Sequence, residues 1–320
     1  MGIAENIKRR RMELNLSQQE LADAMGYKSR STIAKIEAGE NEVPESKISR
    51  FARVLDTSVD YIKTGIITDS FVSFKRNDSV TPHKNVVIVL AGGKSTRNMQ
   101  NIPNQFINVL GKPVIVYCLE AYQRHPAIDD IYVVCLKDWE GILEAYAKQY
   151  EITKLRGVVQ AGGTGILSVR NGIEAIKEKY TNDDVIIFQE STRPLVTEEI
   201  ISKLLNACQR NGSAVTCEPS GEYLQFELSN DDIEASRHSE YLNRRRIVIA
   251  ESPEAYRLET VLEAFKTAEM KNHKFDETCF AMMIHNLGYE LHFYEGNHNN
   301  IKVVRQEDIA ILSALLKNRV

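Results

Sequence analysis

Five apolar residues in a row, Val86-Val87-Ile88-Val89-Leu90, run straight into Ala91-Gly92-Gly93-Lys94-Ser95-Thr96-Arg97. A strand with one wet face alternates apolar and polar side chains, whereas a strand that is apolar at every position is covered on both sides. This run therefore implies a mainly parallel sheet with helices on both faces. The rest of the chain after residue 85 repeats the theme. Strands are expected at 86–90, 131–136, 185–188, 214–217 and 291–294. Helices are expected at 114–124, 139–150, 167–179, 198–211, 254–268, 277–287 and 306–316. In such α/β sheets ligands lie beyond the carboxyl ends of the strands, so the loops there carry the chemistry.

The loop after the first strand is built for phosphate. Small residues let backbone amides approach phosphate oxygens, and Lys94 and Arg97 add positive charge. Two familiar phosphate patterns fail on inspection. The P-loop spacing that ends in Gly93-Lys94-Ser95 requires glycine where Ile88 stands, and the dinucleotide pattern G-x-G-x-x-G is broken by the adjacency of Gly92 and Gly93.

Residues 1–65 follow a different period. Apolar positions recur at helical spacing, and Ser17-Gln18-Gln19-Glu20 has the form of a capping box. Gly26 supplies a left-handed stop, a second cap falls at Ser29 or Ser31, and Gly39 closes the helix that follows. Eleven Lys and Arg face ten Asp and Glu in this stretch, against a net charge of −4 for the whole chain. Between the two patterns, residues 66–85 have no sustained period and contain turn-forming pairs, so they read as a linker. The expected organisation is 1–65, linker 66–85, and 86–320.

Composition narrows the class further. No apolar run approaches the roughly 18–20 residues needed to cross a bilayer, and the first residues lack the apolar core of a signal peptide, so a cytoplasmic protein without membrane contact is expected. The five cysteines form no C-x-x-C pair, and the seven histidines show no metal-ligand spacing.

Leu16-Ser17-Gln18-Gln19-Glu20-Leu21-Ala22, Gly26 and Ser31-Thr32-Ile33-Ala34-Lys35-Ile36-Glu37-Ala38-Gly39 resemble the Cro/repressor-type helix-turn-helix family. That resemblance implies binding to double-stranded DNA, with Ser31, Thr32 and Lys35 reaching base edges in the major groove and Gln18 or Gln19 fixing a phosphate. The run Lys8-Arg9-Arg10-Arg11 reads either as a solvated helix face or as further contacts to the DNA backbone. One residue appears inserted at 27–30, just before the recognition helix. A near-neutral charge suits modest affinity per copy, and hence a homodimer on two half-sites.

The second segment resembles the methylerythritol-phosphate cytidylyltransferases and their ribitol-phosphate relatives. The stretches that carry the likeness are Ala91-Gly92-Gly93 through Arg97, Pro103-Asn104-Gln105-Phe106, Gly111-Lys112-Pro113-Val114, Ala161-Gly162-Gly163, and Ser168-Val169-Arg170-Asn171-Gly172. They continue with Ser191-Thr192-Arg193-Pro194, Glu251-Ser252-Pro253-Glu254-Ala255-Tyr256, Phe275-Asp276-Glu277 and Asn300-Ile301-Lys302-Val303. The fold implied is an α/β, Rossmann-like nucleotidyltransferase domain preceded by a small all-α helix-turn-helix domain. The reaction implied is attack of a polyol phosphate on the α-phosphorus of CTP, with release of pyrophosphate and participation of Mg2+. The resemblance assigns Arg97 and Lys302 to catalysis, and Ala91, Gly92, Gly93, Lys94, Gly163 and Ser168 to the nucleotide. Glu190 would serve the metal, and Arg244 and Ser252 the acceptor phosphate. Taken as residues alone, Glu190 serves equally as a metal ligand or a helix cap, and Lys302 reads as a solvated charge outside its Asn-Ile-Lys context.

The departures are specific. Asn104 stands where the family has lysine, and Ser95 where it has glycine. The 162–168 loop lacks an arginine and is one residue short, Glu190 replaces aspartate, and Ser191-Thr192 replaces an alanine pair. Losing one cation from a phosphoryl-transfer site costs ~3 kcal/mol of barrier. The alternative expectation is therefore a transcriptional regulator, weak or inactive in catalysis, that senses a nucleotide or CDP-alcohol.

Overall fold

The computed structural model describes residues 2–14, 16–27, 29–41, 43–55, 57, 59–65, 83–94, 102–220, 225–228 and 239–318. The chain divides into two compact units, residues 1–79 and 80–320.

The first unit holds five helices, α1 (Ile3–Glu13), α2 (Gln18–Ala24), α3 (Arg30–Glu37), α4 (Glu45–Val54) and α5 (Val59–Thr64). The capping box forms as expected: the Ser17 hydroxyl accepts from the Glu20 amide, and the Glu20 carboxylate accepts from the Ser17 amide at 2.7 Å. Of the two caps expected before α3, Ser29 takes the role, accepting from the Ser31 amide. Gly26 and Gly39 both adopt positive φ, at 70° and 75°. Ile7, Leu21, Met25, Ile33, Ile48, Phe51 and Leu55 close the core.

The basic run of α1 is used within the fold. Arg9 donates to the Tyr61 hydroxyl and the Gly65 carbonyl, and Arg10 to the Leu55 carbonyl. Arg11 grips the buried Glu37 carboxylate through Nε at 2.5 Å and through a second nitrogen at 3.0 Å. These three guanidiniums satisfy carbonyls at helix ends and one buried acid, so Arg9, Arg10 and Arg11 have partners within the fold, while Lys8 is exposed.

In the second unit a seven-stranded sheet has the order β11-β7-β10-β6-β1-β4-β5. Its members are β1 (Asn85–Ala91), β4 (Asp130–Cys135), β5 (Leu155–Gln160), β6 (Val185–Glu190), β7 (Ser213–Pro219), β10 (Val248–Arg257) and β11 (Phe293–Glu295). β1 pairs in parallel with β4 and β6, as do β4 with β5 and β7 with β11, whereas β10 runs antiparallel between β6 and β7. Val86 and Ile88 point into a cluster with α8 (Gly165–Ile176), α10 (Leu258–Met270) and α11 (Phe280–Asn286). Val87 and Val89 are equally buried and point to the other face. There α6 (Val114–Arg124) packs on β1 and α9 (Glu198–Asn211) on β7. A short hairpin, β2 (Asn108–Val109) with β3 (Lys112–Pro113), packs with α12 (Gln306–Lys317) around Val303. The remaining helix, α7 (Glu140–Gln149), lies against β5. A separate antiparallel pair, β8 (Gln225–Leu228) and β9 (Ser239–Leu242), completes the unit.

The mainly parallel sheet follows the sequence expectation, with two corrections. The helix expected at 254–268 begins only at Leu258, because residues 254–257 are the end of β10. That strand was hidden by Glu251, Ser252, Pro253 and Glu254, residues poor in a central strand, and the structure accommodates them with a register shift between Glu251 and Glu254. The edge strand β5 was also missed. Its Arg156 and Gln160 break the apolar run, and most of its residues are only half-buried.

Candidate active site

A cleft of about 1110 Å3 opens where β1, β4, β5 and β6 end. Gly92, Gly93 and Lys94 form one wall, Gly162, Gly163 and Ser168 a second, and Glu190, Ser252 and Lys302 a third. Gly92, Gly93, Gly162, Gly163 and Glu190 lie at the carboxyl ends of the parallel strands β1, β5 and β6, whereas Ser168 comes from α8, Ser252 from the antiparallel β10 and Lys302 from the segment after β11. Ala91, the last residue of β1, is buried beneath the loop. Arg97 lies outside the described residues, as does the side chain of Arg244.

Close backbone approach explains two of the glycines. A Cβ on Gly92 would sit 2.5 Å from the Ala161 methyl, so the two glycine loops abut only because Gly92 has no side chain. A Cβ on Gly165 would meet the Thr278 carbonyl at 2.4 Å. The second loop is tied by Ser168, whose hydroxyl accepts from the Gly162 amide at 3.1 Å and donates to the Thr164 carbonyl at 2.9 Å. Ser168 thus holds the loop and leaves the backbone of Gly163 to face the cleft.

The third wall is a web of alternating charges. The Glu190 carboxylate takes Lys302 Nζ on Oε1 and Arg193 Nε on Oε2, the latter at 2.9 Å. Arg193 also reaches Glu251 at 3.0 Å and the Asn300 carbonyl at 2.7 Å. Burial pushes the Glu190 carboxyl up, but Lys302 and Arg193 outweigh it and hold the group below the usual carboxylate range. The Ser252 hydroxyl accepts from the Glu190 amide at 3.1 Å, which sets the end of β6 against β10. The Asn300 side chain donates to the Ser252 carbonyl at 2.9 Å.

Deeper in, Glu254 accepts on Oε2 from the Tyr256 hydroxyl at 2.8 Å and from the Ala281 amide at 3.0 Å. Burial pushes its carboxyl up to about 7 despite these bonds. Burial likewise raises the Cys279 thiol, which lines the same end of the cleft, to about 11.

Several contributors had no role assigned from sequence, although the signal lay inside the quoted stretches. Gln105, Arg193, Glu251 and Asn300 all belong to them, and their function emerges only from contacts between segments far apart in the chain. Lys137, just past β4, also lines the cleft, and no sequence feature marked it. Glu277, expected at a helix start, is instead buried against His273 and Asn286, with α11 beginning three residues later. Among the described residues, no group of three or more His, Cys, Asp or Glu side chains is placed to hold a metal ion, and no helix is long and apolar enough to cross a membrane.

In the first unit, Ser31 and Lys35 are exposed on α3 and Thr32 is half-buried. The Gln18 amide donates to Glu37 at 2.9 Å and that of Gln19 to Asp23 at 2.8 Å.

Residues 85–318 match the family model for 2-C-methyl-D-erythritol 4-phosphate cytidylyltransferase, and residues 7–62 match a helix-turn-helix model. The ribitol-5-phosphate cytidylyltransferase of Lacticaseibacillus paracasei is 31% identical over 233 residues, covering 72% of this chain and 97% of the relative. That of Streptococcus agalactiae is 33% identical over 236 residues, covering 73% and 96%. The 2-C-methyl-D-erythritol 4-phosphate cytidylyltransferase of Syntrophus aciditrophicus is 32% identical over 235 residues, covering 73% and 96%. The crystal structure of 4-diphosphocytidyl-2C-methyl-D-erythritol synthase from Anaerococcus prevotii superposes with a TM-score of 0.63 at 22% identity, covering 73% of this chain and 96% of that one, which establishes the shared fold.

Proposed function

The chain belongs, through residues 85–318, to the 2-C-methyl-D-erythritol 4-phosphate cytidylyltransferase family, and from that premise we propose that it transfers CMP from CTP to a polyol phosphate while residues 1–65 bind double-stranded DNA. The observation that carries the first half is the juxtaposition of the Gly92–Lys94 backbone and Lys302 across one cleft. An acceptor phosphate oxygen attacks the α-phosphorus of CTP, the new P–O bond forms, and pyrophosphate leaves with the electron pair of the broken one. Such a transition state is helped chiefly by in-line placement and charge neutralisation. The amides of Gly92 and Gly93, with Lys94 and Arg97, would hold the triphosphate. Gly163 and Ser168 would border the cytidine, and Lys302 would meet the α-phosphate. Arg244 and Ser252 remain the candidates for the acceptor phosphate. Ser252 fits that role because its oxygen is used as an acceptor from Glu190, which leaves its own proton to donate.

Magnesium suits the donor set. Glu190 offers a hard carboxylate at the strand end, and Mg2+ is ordinarily held by one or two carboxylates together with substrate phosphates rather than by a full protein cage. Glu190 would hold the ion, which when bound supplies neutralisation of phosphate charge.

The acceptor is best read as a polyol phosphate such as ribitol 5-phosphate, in keeping with the relatives from Lacticaseibacillus and Streptococcus. Exposed Tyr241 on β9 and exposed Val248 and Ile249 at the start of β10 support self-association as a homodimer. On this reading the protein works in the cytoplasm, where CTP and DNA meet.

Pyrophosphate release from CTP, with ribitol 5-phosphate or methylerythritol phosphate as acceptor, tests the enzyme. Release with either acceptor is expected, and no release with both overturns it. Salt-dependent binding of duplex DNA, weakened by Lys35→Ala, tests the N-terminal unit. Salt-independent binding, or none, overturns that half. The alternative, a non-catalytic sensor, is favoured by the missing cation at Asn104 and by the shortened 162–168 loop, and binding of CTP without turnover would establish it.

A further inference from the structure

Asn104 and Gln105 sit side by side in a 3-10 turn, Asn104–Phe106, locked by Phe106 stacking on Trp139 with ring centroids 4.5 Å apart. Successive side chains in a 3-10 turn diverge by about a third of a revolution, so neighbours can serve two different segments. Here they do. Gln105 Nε2 donates to the carbonyls of Ala91 at 2.9 Å and Gly93 at 3.0 Å. Asn104 Nδ2 donates to the carbonyls of Val303 at 3.3 Å and Val304 at 3.0 Å. Both side chains are buried, Gln105 at 1% and Asn104 at 4% exposure.

Each tie sets something next to the chemistry. A trans peptide directs its N–H opposite to its C=O. Pinning the Ala91 and Gly93 carbonyls therefore aims the amides of Gly92 and Lys94 away from Gln105. On the other side, Val303 follows Lys302 directly, and its amide donates to the Thr192 carbonyl at 2.8 Å. With the Asn104 bonds to Val303 and Val304, the backbone directly after Lys302 is tied to two separate segments.

We propose that Asn104 and Gln105 are a pair of positioning residues, a two-sided clasp that fixes the spacing between the phosphate-binding loop and Lys302. The proposal rests on the cytidylyl-transfer reading and adds to it a specific use for the position where a lysine was expected. Asn104 acts on the placement of Lys302 and hence on turnover. Gln105 acts on the loop amides and hence on nucleotide affinity.

The test uses the full chain with Asn104→Asp and Gln105→Glu, which keep side-chain size and remove the amide donor, and with Asn104→Ala as a second variant. Steady-state pyrophosphate release gives kcat and KM, calorimetric titration gives CTP affinity, and thermal unfolding controls for folding. Two lost bonds correspond to about a 30-fold effect. We expect both Asn104 variants to lower kcat by that order with CTP affinity within a few-fold of wild type, and Gln105→Glu to weaken CTP binding by that order. If both positions depress kcat and affinity together, in proportion to lost thermal stability, the residues are merely structural and the clasp is overturned. An Asn104→Lys variant that turns over faster than wild type overturns it too, since the position would then lack a cation rather than supply a tie. A wild-type chain that binds CTP without turnover refutes the enzyme and leaves the clasp to be judged by whether Gln105→Glu weakens that binding. A wild-type chain that does not bind CTP refutes both.

Discussion

Replacing Glu254 with glutamine should remove the pH dependence that this one buried acid imposes on the sheet domain. The carboxyl is 6% exposed, and burial raises it from the ordinary 4.5 to about 7. A carboxyl raised in the folded state binds its proton more tightly there than in the unfolded chain. Stability is therefore greatest below about 4.5 and declines as pH rises through 7, when the buried group is forced to ionise. Each pKa unit is worth 1.36 kcal/mol, so the full decline is about 3 kcal/mol, most of it between pH 5 and 8. Glutamine keeps an acceptor for Tyr256 and for the Ala281 amide and cannot ionise. The chain's single tryptophan, Trp139, stacks on Phe106 within this unit, so its fluorescence during urea unfolding reports on the right domain. The expected result is that Glu254→Gln gains on wild type by roughly 2–3 kcal/mol between pH 5 and 8. Parallel stability curves for the two proteins over that range would falsify the assignment.

Lys302→Ala should lower kcat roughly a hundredfold while changing CTP affinity less, because the ammonium matters most as charge develops; single-turnover kinetics beside calorimetry checks this. Gly92→Ala forces a methyl group to within 2.5 Å of Ala161 and should destabilise the domain by about 1–3 kcal/mol, measured by the same tryptophan transition. Arg11→Ala leaves the buried Glu37 carboxylate, among the described residues, with Gln18 as its hydrogen-bond partner and should cost the helical unit about 3–5 kcal/mol, seen as an earlier loss of far-ultraviolet circular dichroism and of DNA binding.

What could be read from the residues follows from where the physics is local. Val86–Leu90 announced a doubly covered strand, because burial on both faces leaves a one-dimensional trace. The Ser17–Glu20 box was equally plain, since both partners lie within one turn. β10 was not, because its strand character depends on β6 and β7 on either side, which override Pro253 and two glutamates. The clasp was hidden for the same reason. Asn104 and Val303 are 199 residues apart, and nothing in Pro103-Asn104-Gln105-Phe106 states which carbonyls the two amides will meet. Reading Asn104 as a lost cation followed from the family pattern alone; its hydrogen bonds to the Val303 and Val304 carbonyls are visible only in the fold.

The charges at the third wall divide into those that are held and one that can exchange. Arg193 is 10% exposed at its side chain and bound by Glu190, Glu251 and the Asn300 carbonyl together, so swinging it toward a ligand would break three contacts and take the Glu251 carboxylate's cation away. Lys302 is 44% exposed and, among the described residues, pairs with Glu190 alone. On the proposed reading an arriving triphosphate takes that ammonium in exchange for one carboxylate oxygen, and Glu190 keeps Arg193 as its partner. The exchange leaves no ion unpaired, and it frees a Glu190 oxygen at the moment phosphate oxygens arrive beside it. A site arranged in this way reorganises little on binding, which is the condition under which fixed charges lower a phosphoryl-transfer barrier.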